Sequence, residues 1–199
     1  NVGNLAENCW FLANEDTKEA VVIDPGAEPD RICAAAEKHG WKITAILLTH
    51  GHIDHMGACE SLRTELGVKV YALTEEEDLL LDAKKNLSVF IERKVVTFEP
   101  DELLRGGQKL TLAGMKIQVI HTPGHTPGGC SYYVADAGCV FSGDTLFAES
   151  VGRSDFPGGS TSALVRAVKE KLFLLPDDTL VCPGHGEETT IGHEKKYNP

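Results

Sequence analysis

The chain of 199 residues contains no long apolar run, no cluster of positive charge and no signal peptide. No segment reaches the roughly 18 to 20 apolar residues of a membrane-spanning helix. Lys and Arg never occur in runs longer than two, and the net charge is -11. Nucleic-acid binding depends on clustered positive charge, so we do not expect a nucleic acid as a partner. Because no segment is apolar enough to span a membrane, we do not expect a membrane as a partner either.

The six cysteines are scattered, and no Cys-x-x-Cys pair occurs among them. Most lie inside apolar segments such as 138–141, which favours buried free thiols of a reducing cytoplasm over a disulfide framework. With 42% hydrophobic and 25% charged residues, the composition is typical of a globular protein. The length suits a single domain covering 1–199. Since the chain begins with Asn1 rather than Met, removal of an N-terminal segment stays open.

The most informative segment is THGHIDH, from Thr49 to His55, which holds three of the eight histidines. Imidazole and carboxylate are ligands that zinc and similar divalent ions prefer. In an extended segment alternate side chains point the same way, so His50 and His52 can face one metal. The chain must then turn to present Asp54 and His55 to a second point nearby. This arrangement predicts a pair of metals.

Three later segments end short apolar stretches with turns that carry a histidine or an aspartate. They are HTPGHTPG at 121–128, SGDT at 142–145 and PGHG at 183–186. Loops that follow strands can share one edge of a sheet and build a site there. We therefore expect these three segments to converge with 49–55.

The apolar spacing predicts an α/β protein whose strands outnumber its helices. We expect strands at 9–13, 19–23, 43–48, 68–73, 109–112, 116–120, 131–135, 139–142 and 179–182. We expect helices at 29–38, 55–66, 75–82 and 161–174. The acidic run 74–82 is interpreted as a solvated helix face, and 84–104 as an insertion that covers the site, with one strand at 95–98. This pattern suits two packed sheets with helices outside.

The motifs resemble those of the metallo-β-lactamase superfamily, in which THxHxDH, HTPGHTPG, SGDTLF and PGHG follow in this order. The resemblance covers nearly the whole chain and is closest to the short, glyoxalase II-like thioesterases. It implies a four-layer αββα sandwich with metals at one edge between the sheets. The helical C-terminal extension that grips glutathione in full-length glyoxalase II is missing after Pro199, so we expect weaker glutathione recognition.

The resemblance also assigns seven metal ligands by motif position, in two sets of three and one bridge: His50, His52 and His125; Asp54, His55 and His185; and Asp144. We expect two divalent ions, zinc first, with iron or manganese as alternatives. Two such ions about 3.5 to 4 Å apart can share a water and make its hydroxide available as the nucleophile. Asp54 is a secondary candidate as acceptor of that water's proton.

Two other residues are assigned supporting roles. Asp24, at a strand end, is a candidate to hold the far nitrogen of a ligand histidine, with a plain turn role as the alternative. Arg153 lies in a segment that lines the substrate side in glyoxalase II-like proteins, and its planar fork suits a substrate carboxylate. An ordinary surface ion pair is the alternative for Arg153. His121 is interpreted as a strand-end residue beside the site rather than a ligand.

The leading hypothesis is a dinuclear metal hydrolase that cleaves an acyl thioester such as S-lactoylglutathione, as hydroxyacylglutathione hydrolases do. Three alternatives stay open. The first is a persulfide dioxygenase with one iron held by His50, His125 and Asp144. The second is a lactonase or β-lactamase-like hydrolase, and the third is a metal-binding module without catalysis. The oligomeric state stays open.

Overall fold

The computed structural model describes residues 1–199 as two facing β-sheets with helices on their outer sides. In chain order the strands are β1 (Trp10–Asn14), β2 (Glu19–Ile23), β3 (Lys42–Leu47), β4 (Lys69–Leu73), β5 (Glu102–Leu104), β6 (Lys109–Leu112), β7 (Met115–His121), β8 (Cys130–Val134), β9 (Cys139–Gly143), β10 (Leu146–Phe147), β11 (Ser150–Val151), β12 (Leu180–Pro183) and β13 (Thr189–Thr190). The first sheet has the order β1-β2-β3-β4-β5 and the second the order β13-β12-β9-β8-β7-β6. Strands β10 and β11 form a separate hairpin.

The helices are short and join or cover the sheets. They are α1 (Pro29–His39), α2 (Ile53–Met56), α3 (Cys59–Leu66), α4 (Glu77–Leu80), α5 (Ser88–Ile91), α6 (Thr161–Glu170) and α7 (Ile191–Tyr197). Helix α1 begins at a proline, whose missing N–H costs nothing there, and ends at Gly40 in the left-handed conformation. None of the helices has the length and apolar character needed to cross a membrane.

Three apolar cores separate the layers. Successive strand residues face opposite sides of a sheet, so Val22 and Ile46 pack outward against α1 and α3, whereas Leu47 packs inward against the second sheet. On the far side of the second sheet, Val140 packs with Val168 of α6. The layers therefore run helix, sheet, sheet, helix, and the predicted αββα sandwich is confirmed.

The predicted helix at 55–66 is broken in two. A Cβ at Gly57 would lie 2.3 Å from the carbonyl oxygen of Gly26, so that residue must remain glycine. The next amide, Ala58 N–H, donates to the Pro25 carbonyl at 2.9 Å instead of continuing the first helix. The predicted helix at 161–174 is also shorter, because α6 ends at Glu170 and a 3-10 turn follows at Leu172–Leu174.

Two expectations about the middle of the chain are wrong. No strand forms at 95–98, where Val95 is 79% exposed. Pairing with β4 begins instead at Asp101, whose carboxylate accepts the Val70 N–H at 2.8 Å, and β5 continues it. The acidic run is not a uniformly solvated face either, because Glu76 is buried with its side chain turned into the protein.

The core between the sheets offers a test of this packing. We predict that Leu47→Ala lowers the free energy of unfolding by about 2 to 5 kcal/mol, the usual cost of removing a buried leucine side chain. Leu174→Ala, at a position that is 77% exposed, should change it by less than about 0.5 kcal/mol. Urea unfolding followed by circular dichroism measures both. Equal effects of the two substitutions would contradict the assigned layers.

Candidate metal centre

The predicted ligands all lie beyond the C-terminal ends of strands at one edge of the sandwich. The segment 50–55 follows β3 of the first sheet. His125, Asp144 and His185 follow β7, β9 and β12 of the second sheet. The site is thus assembled where the ends of the two sheets face each other, and the structure brings all seven side chains together there.

The first group consists of three buried histidines. Nε2 of His50 lies 3.1 Å from Nδ1 of His52, and Nε2 of His125 lies 2.9 Å from that same atom. The three nitrogens lie within 4.8 Å of one another, so they can face one metal ion. Three nitrogens at these separations match one face of a tetrahedral ligand set.

The second group consists of Asp54, His55 and His185. Nε2 of His185 lies 3.3 Å from Oδ2 of Asp54, and Nε2 of His55 lies 3.9 Å from that oxygen. Asp144 stands between the groups: its Oδ1 is 3.4 Å from His55 Nε2, and its Oδ2 is 3.5 Å from His125 Nε2. Oδ1 of Asp144 thus faces the second group, whereas Oδ2 lies near both groups, because it is also 3.8 Å from Nε2 of His185.

A glycine makes this close approach feasible. A Cβ at Gly184 would lie 2.4 Å from Asp144 Oδ1 and 2.6 Å from a ring carbon of His55. Because both atoms belong to the site, any larger residue at this position would push the groups apart. The Pro-Gly-His-Gly turn thus provides room as well as His185.

Hydrogen bonds behind the site orient the imidazoles. Nδ1 of His55 donates to Oδ2 of Asp24 at 3.0 Å, which leaves Nε2 free to face the site. Asp24 also accepts the Thr49 N–H at 2.7 Å and the Thr49 hydroxyl. On the other side, Nδ1 of His125 donates to the Arg153 carbonyl at 2.7 Å. Asp24 is therefore bonded to His55, one of the predicted ligands, and its role in supporting a metal site stays a prediction.

The electrostatics of the first group favour neutral imidazoles. Burial, reinforced by the neighbouring histidines, holds the pKa of His50 well below its ordinary value and lowers that of His52 to about 3. Burial lowers the pKa of His125 as well, against the opposing effect of Asp144. Neutral imidazole is the form that binds a metal.

The second group has the opposite balance. Burial favours protonation of Asp54 and Asp144, but the nearby histidines outweigh it and lower the pKa of both carboxyl groups. Burial likewise opposes charge on His55 and His185, yet their pKa values are raised, because carboxylates surround them. These carboxylates therefore attract positive charge to this part of the site.

The donor set fits a pair of divalent cations. Two buried polar atoms that face each other across the site, His55 Nε2 and Asp144 Oδ1, make no hydrogen bond. Buried polar atoms are normally satisfied, and a cation between them would satisfy both. Nitrogen and carboxylate oxygen ligands suit zinc, iron or manganese.

Two buried glutamates near the site, Glu7 and Glu76, are not among the residues predicted from the sequence. Glu7 lies with Oε1 3.8 Å from His55 Nδ1, and its carboxyl oxygens make no hydrogen bond. Burial raises the pKa of Glu7 to about 10. Burial also raises the pKa of Glu76 to about 7, although the amides of Gly51 and Gly128 oppose the shift. The spacing of Glu76 with buried Leu79 and Leu80 at three and four residues could have indicated its inward face.

A cleft of about 870 Å³ opens onto the ligands. It is lined by site residues and by side chains from the predicted covering insertion, including Lys84, Leu87, Phe90 and Ile91. This part of the 84–104 interpretation agrees with the structure, although the insertion contains α5 and no strand before β5. His121 bonds to the Pro127 carbonyl at 2.9 Å and stays outside both ligand groups.

Arg153 lines the same cleft, but its guanidinium already has a partner. Its Nε and Nη2 donate to the two oxygens of Asp155 at 2.8 and 2.7 Å, and the group stacks over Phe156 at 3.9 Å. A substrate carboxylate at Arg153 would have to compete with Asp155. The assignment of Arg153 to substrate binding stays a prediction.

Comparison with known proteins identifies the family. A sequence profile described as "Metallo-beta-lactamase superfamily" matches residues 2–185. The chain belongs to this superfamily of metal-dependent hydrolases, whose fold and His/Asp cluster support divalent-metal binding and enzymatic activity.

Two curated relatives are similar to this chain over nearly its full length. It is 40% identical to "Probable metallo-hydrolase YqgX" of Bacillus subtilis, over all of this chain and 93% of that protein. It is 36% identical to "Hydroxyacylglutathione hydrolase GloC" of Haemophilus influenzae, over 97% of this chain and 92% of that protein.

All six cysteines are free, as predicted.

Two crystal structures are similar over the full chain. The BLEG-1 B3 metallo-beta-lactamase superposes with a TM-score of 0.94 at 39% identity, covering 100% of this chain and 95% of that one. TTHA1623, described in a di-iron-bound form, gives a TM-score of 0.88 at 38% identity, covering 100% and 96%. The similarity of both structures agrees with the αββα fold found here.

The support given by Asp24 to His55 can be tested directly. We predict that Asp24→Asn lowers metal affinity about 10- to 100-fold, because loss of a hydrogen bond behind a ligand histidine has effects of this size. Asp16→Asn, at an exposed position, is the matched control and should bind metal as the wild type does. Competition with a chromogenic chelator measures both. Unchanged affinity in folded Asp24→Asn protein would show that Asp24 has no such role.

Proposed function

We propose that the protein is a dinuclear metal-dependent thioesterase that hydrolyses an acyl thioester to a carboxylic acid and a thiol. The single observation that supports this most is the convergence of two ligand groups on the oxygens of Asp144. The identity to a protein named as a hydroxyacylglutathione hydrolase over nearly the full chain supports the substrate class. The full ligand set supports catalysis rather than a binding role alone.

We assign His50, His52 and His125 to one cation, Asp54, His55 and His185 to a second, and Asp144 to both. When bound, such a pair lowers the pKa of water and polarises a substrate carbonyl. Zinc is our first choice, and the di-iron form of TTHA1623 supports iron as the alternative. Six free thiols support a reducing compartment such as the cytoplasm.

The residues of the cleft would orient the thioester and limit the access of water. Phe156 packs edge-on against His52 with ring centroids 5.5 Å apart, and Phe147 packs against His185 at 6.3 Å. These rings form an apolar wall on either side of the ligands. Asp54 lines the cleft and is our candidate to accept the proton that hydrolysis releases. Because its pKa is lowered, Asp54 is a weak base and would pass this proton on to solvent.

The cation that we assign to substrate binding is Lys84. It lines the cleft, is exposed and makes no ion pair, whereas Arg153 is paired with Asp155. An acyl thioester whose thiol part carries a carboxylate, as glutathione does, would place that group at the cleft rim near Lys84. The apolar residues of the insertion would contact the remainder of the substrate.

Hydrolysis of a β-lactam is the second candidate, because the BLEG-1 B3 metallo-beta-lactamase is 39% identical over the full chain. A β-lactam and a thioester both present a carbonyl to the same pair of cations. A persulfide dioxygenase with one iron would require only His50, His125 and Asp144. The second ligand group beside them favours the dinuclear hydrolase.

Substitution of a ligand tests the function itself. We predict that His52→Ala lowers the metal content and abolishes hydrolysis of S-lactoylglutathione, because the loss of a ligand should exceed the roughly 10- to 100-fold effect of losing a supporting hydrogen bond. His39→Ala, at an exposed helix end, is the control. Elemental analysis and thiol release are measured on the same samples. Full activity of His52→Ala would refute the assignment, and cleavage of a cephalosporin without cleavage of any thioester would favour the second candidate.

The role of Lys84 is tested separately. Lys84→Gln should raise KM for S-lactoylglutathione about 1.4- to 5-fold at unchanged kcat, since an exposed ion pair contributes roughly 0.2 to 1 kcal/mol. Lys85→Gln, at the next exposed residue, should leave both constants unchanged. If the two variants have the same KM as the wild type, Lys84 does not bind substrate.

A further inference from the structure

Glu76 is a buried carboxylate that belongs to neither ligand group. It ends the 3-10 turn Thr74–Glu76 after β4, and it is only 1% exposed. Each of its oxygens accepts a different backbone N–H: Oε1 that of Gly51 at 2.9 Å, and Oε2 that of Gly128 at 2.7 Å. The two oxygens therefore join two segments that are distant in the sequence.

These two segments supply the whole first ligand group. Gly51 lies between His50 and His52 in the loop after β3, which belongs to the first sheet. Gly128 follows His125 by three residues in the loop after β7, which belongs to the second sheet. Glu76 thus connects the two sheets at the edge where their histidines meet.

The segment that carries Glu76 also packs directly on both glycines. A Cβ at Gly128 would lie 2.2 Å from the backbone nitrogen of Glu76, and a Cβ at Gly51 would lie within 2.9 Å of the side chains of Leu79 and Leu80. One direct backbone bond joins the loops elsewhere, from Cys130 N–H to the Thr49 carbonyl at 2.9 Å. The two hydrogen bonds to Glu76 connect the loops a second time. The bond from Gly51 lies between His50 and His52 of the first loop.

We propose that Glu76 is a positioning residue that fixes the two loops relative to each other, so that His50, His52 and His125 can share one metal ion. This inference rests on the proposed metal centre. A carboxylate binds backbone N–H groups more strongly than a neutral acceptor does. Because a buried N–H without an acceptor is unfavourable, the geometry of the three histidines depends on both oxygens.

Glu76→Gln is the sharpest test, because it keeps the size of the side chain and replaces one of its two oxygens by an amide donor. The variant can accept only one of the two N–H groups, and its NH2 group then faces the other. Glu75→Gln, at the adjacent exposed position, is the matched control for loss of charge. The measurement is the competition for zinc between each protein and a chromogenic chelator, at a temperature where thermal unfolding shows that all three are folded.

We expect Glu76→Gln to bind one of its zinc ions about tenfold less tightly or worse, in the range found for residues that support metal ligands, and Glu75→Gln to match the wild type. Equal zinc affinity of all three proteins would overturn the proposal, as would a lower unfolding temperature of Glu76→Gln with unchanged affinity. Zinc binding by none of them would contradict the metal centre as well.

Amide hydrogen exchange in the wild type keeps the proposal testable if Glu76→Gln does not fold. Slow exchange at both Gly51 and Gly128 is the expected result, because both N–H groups are bonded to a buried carboxylate. Fast exchange at either glycine would overturn the proposed connection.

Discussion

The structure depends on the close packing of five imidazoles and two carboxylates at one edge of the sandwich. Burying this many polar groups is unfavourable unless each finds a partner. The protein supplies partners for the outward nitrogens of His55 and His125 through Asp24 and the Arg153 carbonyl. It leaves the inward nitrogens and the oxygens of Asp144 to face one another. Cations between them would resolve this imbalance, which is why the geometry indicates metals and not an ordinary polar core.

The architecture explains how such a cluster can be held in place. The ligands stand on turns, but each turn follows a strand whose other residues are fixed in the core between or outside the sheets. Glycines at the ends of these strands allow backbones and ligands to approach, as Gly184 does beside Asp144 and His55. The rigid sheets therefore determine the relative positions of short, polar turns. This division of roles allows the loops around the cleft to differ without loss of the site.

The seven side chains that the structure brings together could be named from the sequence, because they occur in short motifs after apolar strands that resemble those of a known family. It was less informative about the residues behind the site. Glu76 lies in an acidic run that a composition-based interpretation assigns to solvent, and the one local indication of its inward face is its spacing from the buried Leu79 and Leu80. Glu7 is brought beside His55 by long-range pairing of the N-terminal segment, which no local pattern encodes. The strand expected at 95–98 does not form, and the reason is again long-range pairing: the chain pairs with β4 only from Asp101 onward.

The most direct test of the central claim is anomalous X-ray scattering from crystals grown with zinc, recorded on both sides of the zinc absorption edge. The account predicts two peaks, one among His50, His52 and His125, the other among Asp54, His55 and His185, with Asp144 contacting both. A single peak in the first group would contradict the dinuclear centre. An absence of peaks at the seven side chains, in crystals where they are well ordered, would contradict the metal site altogether.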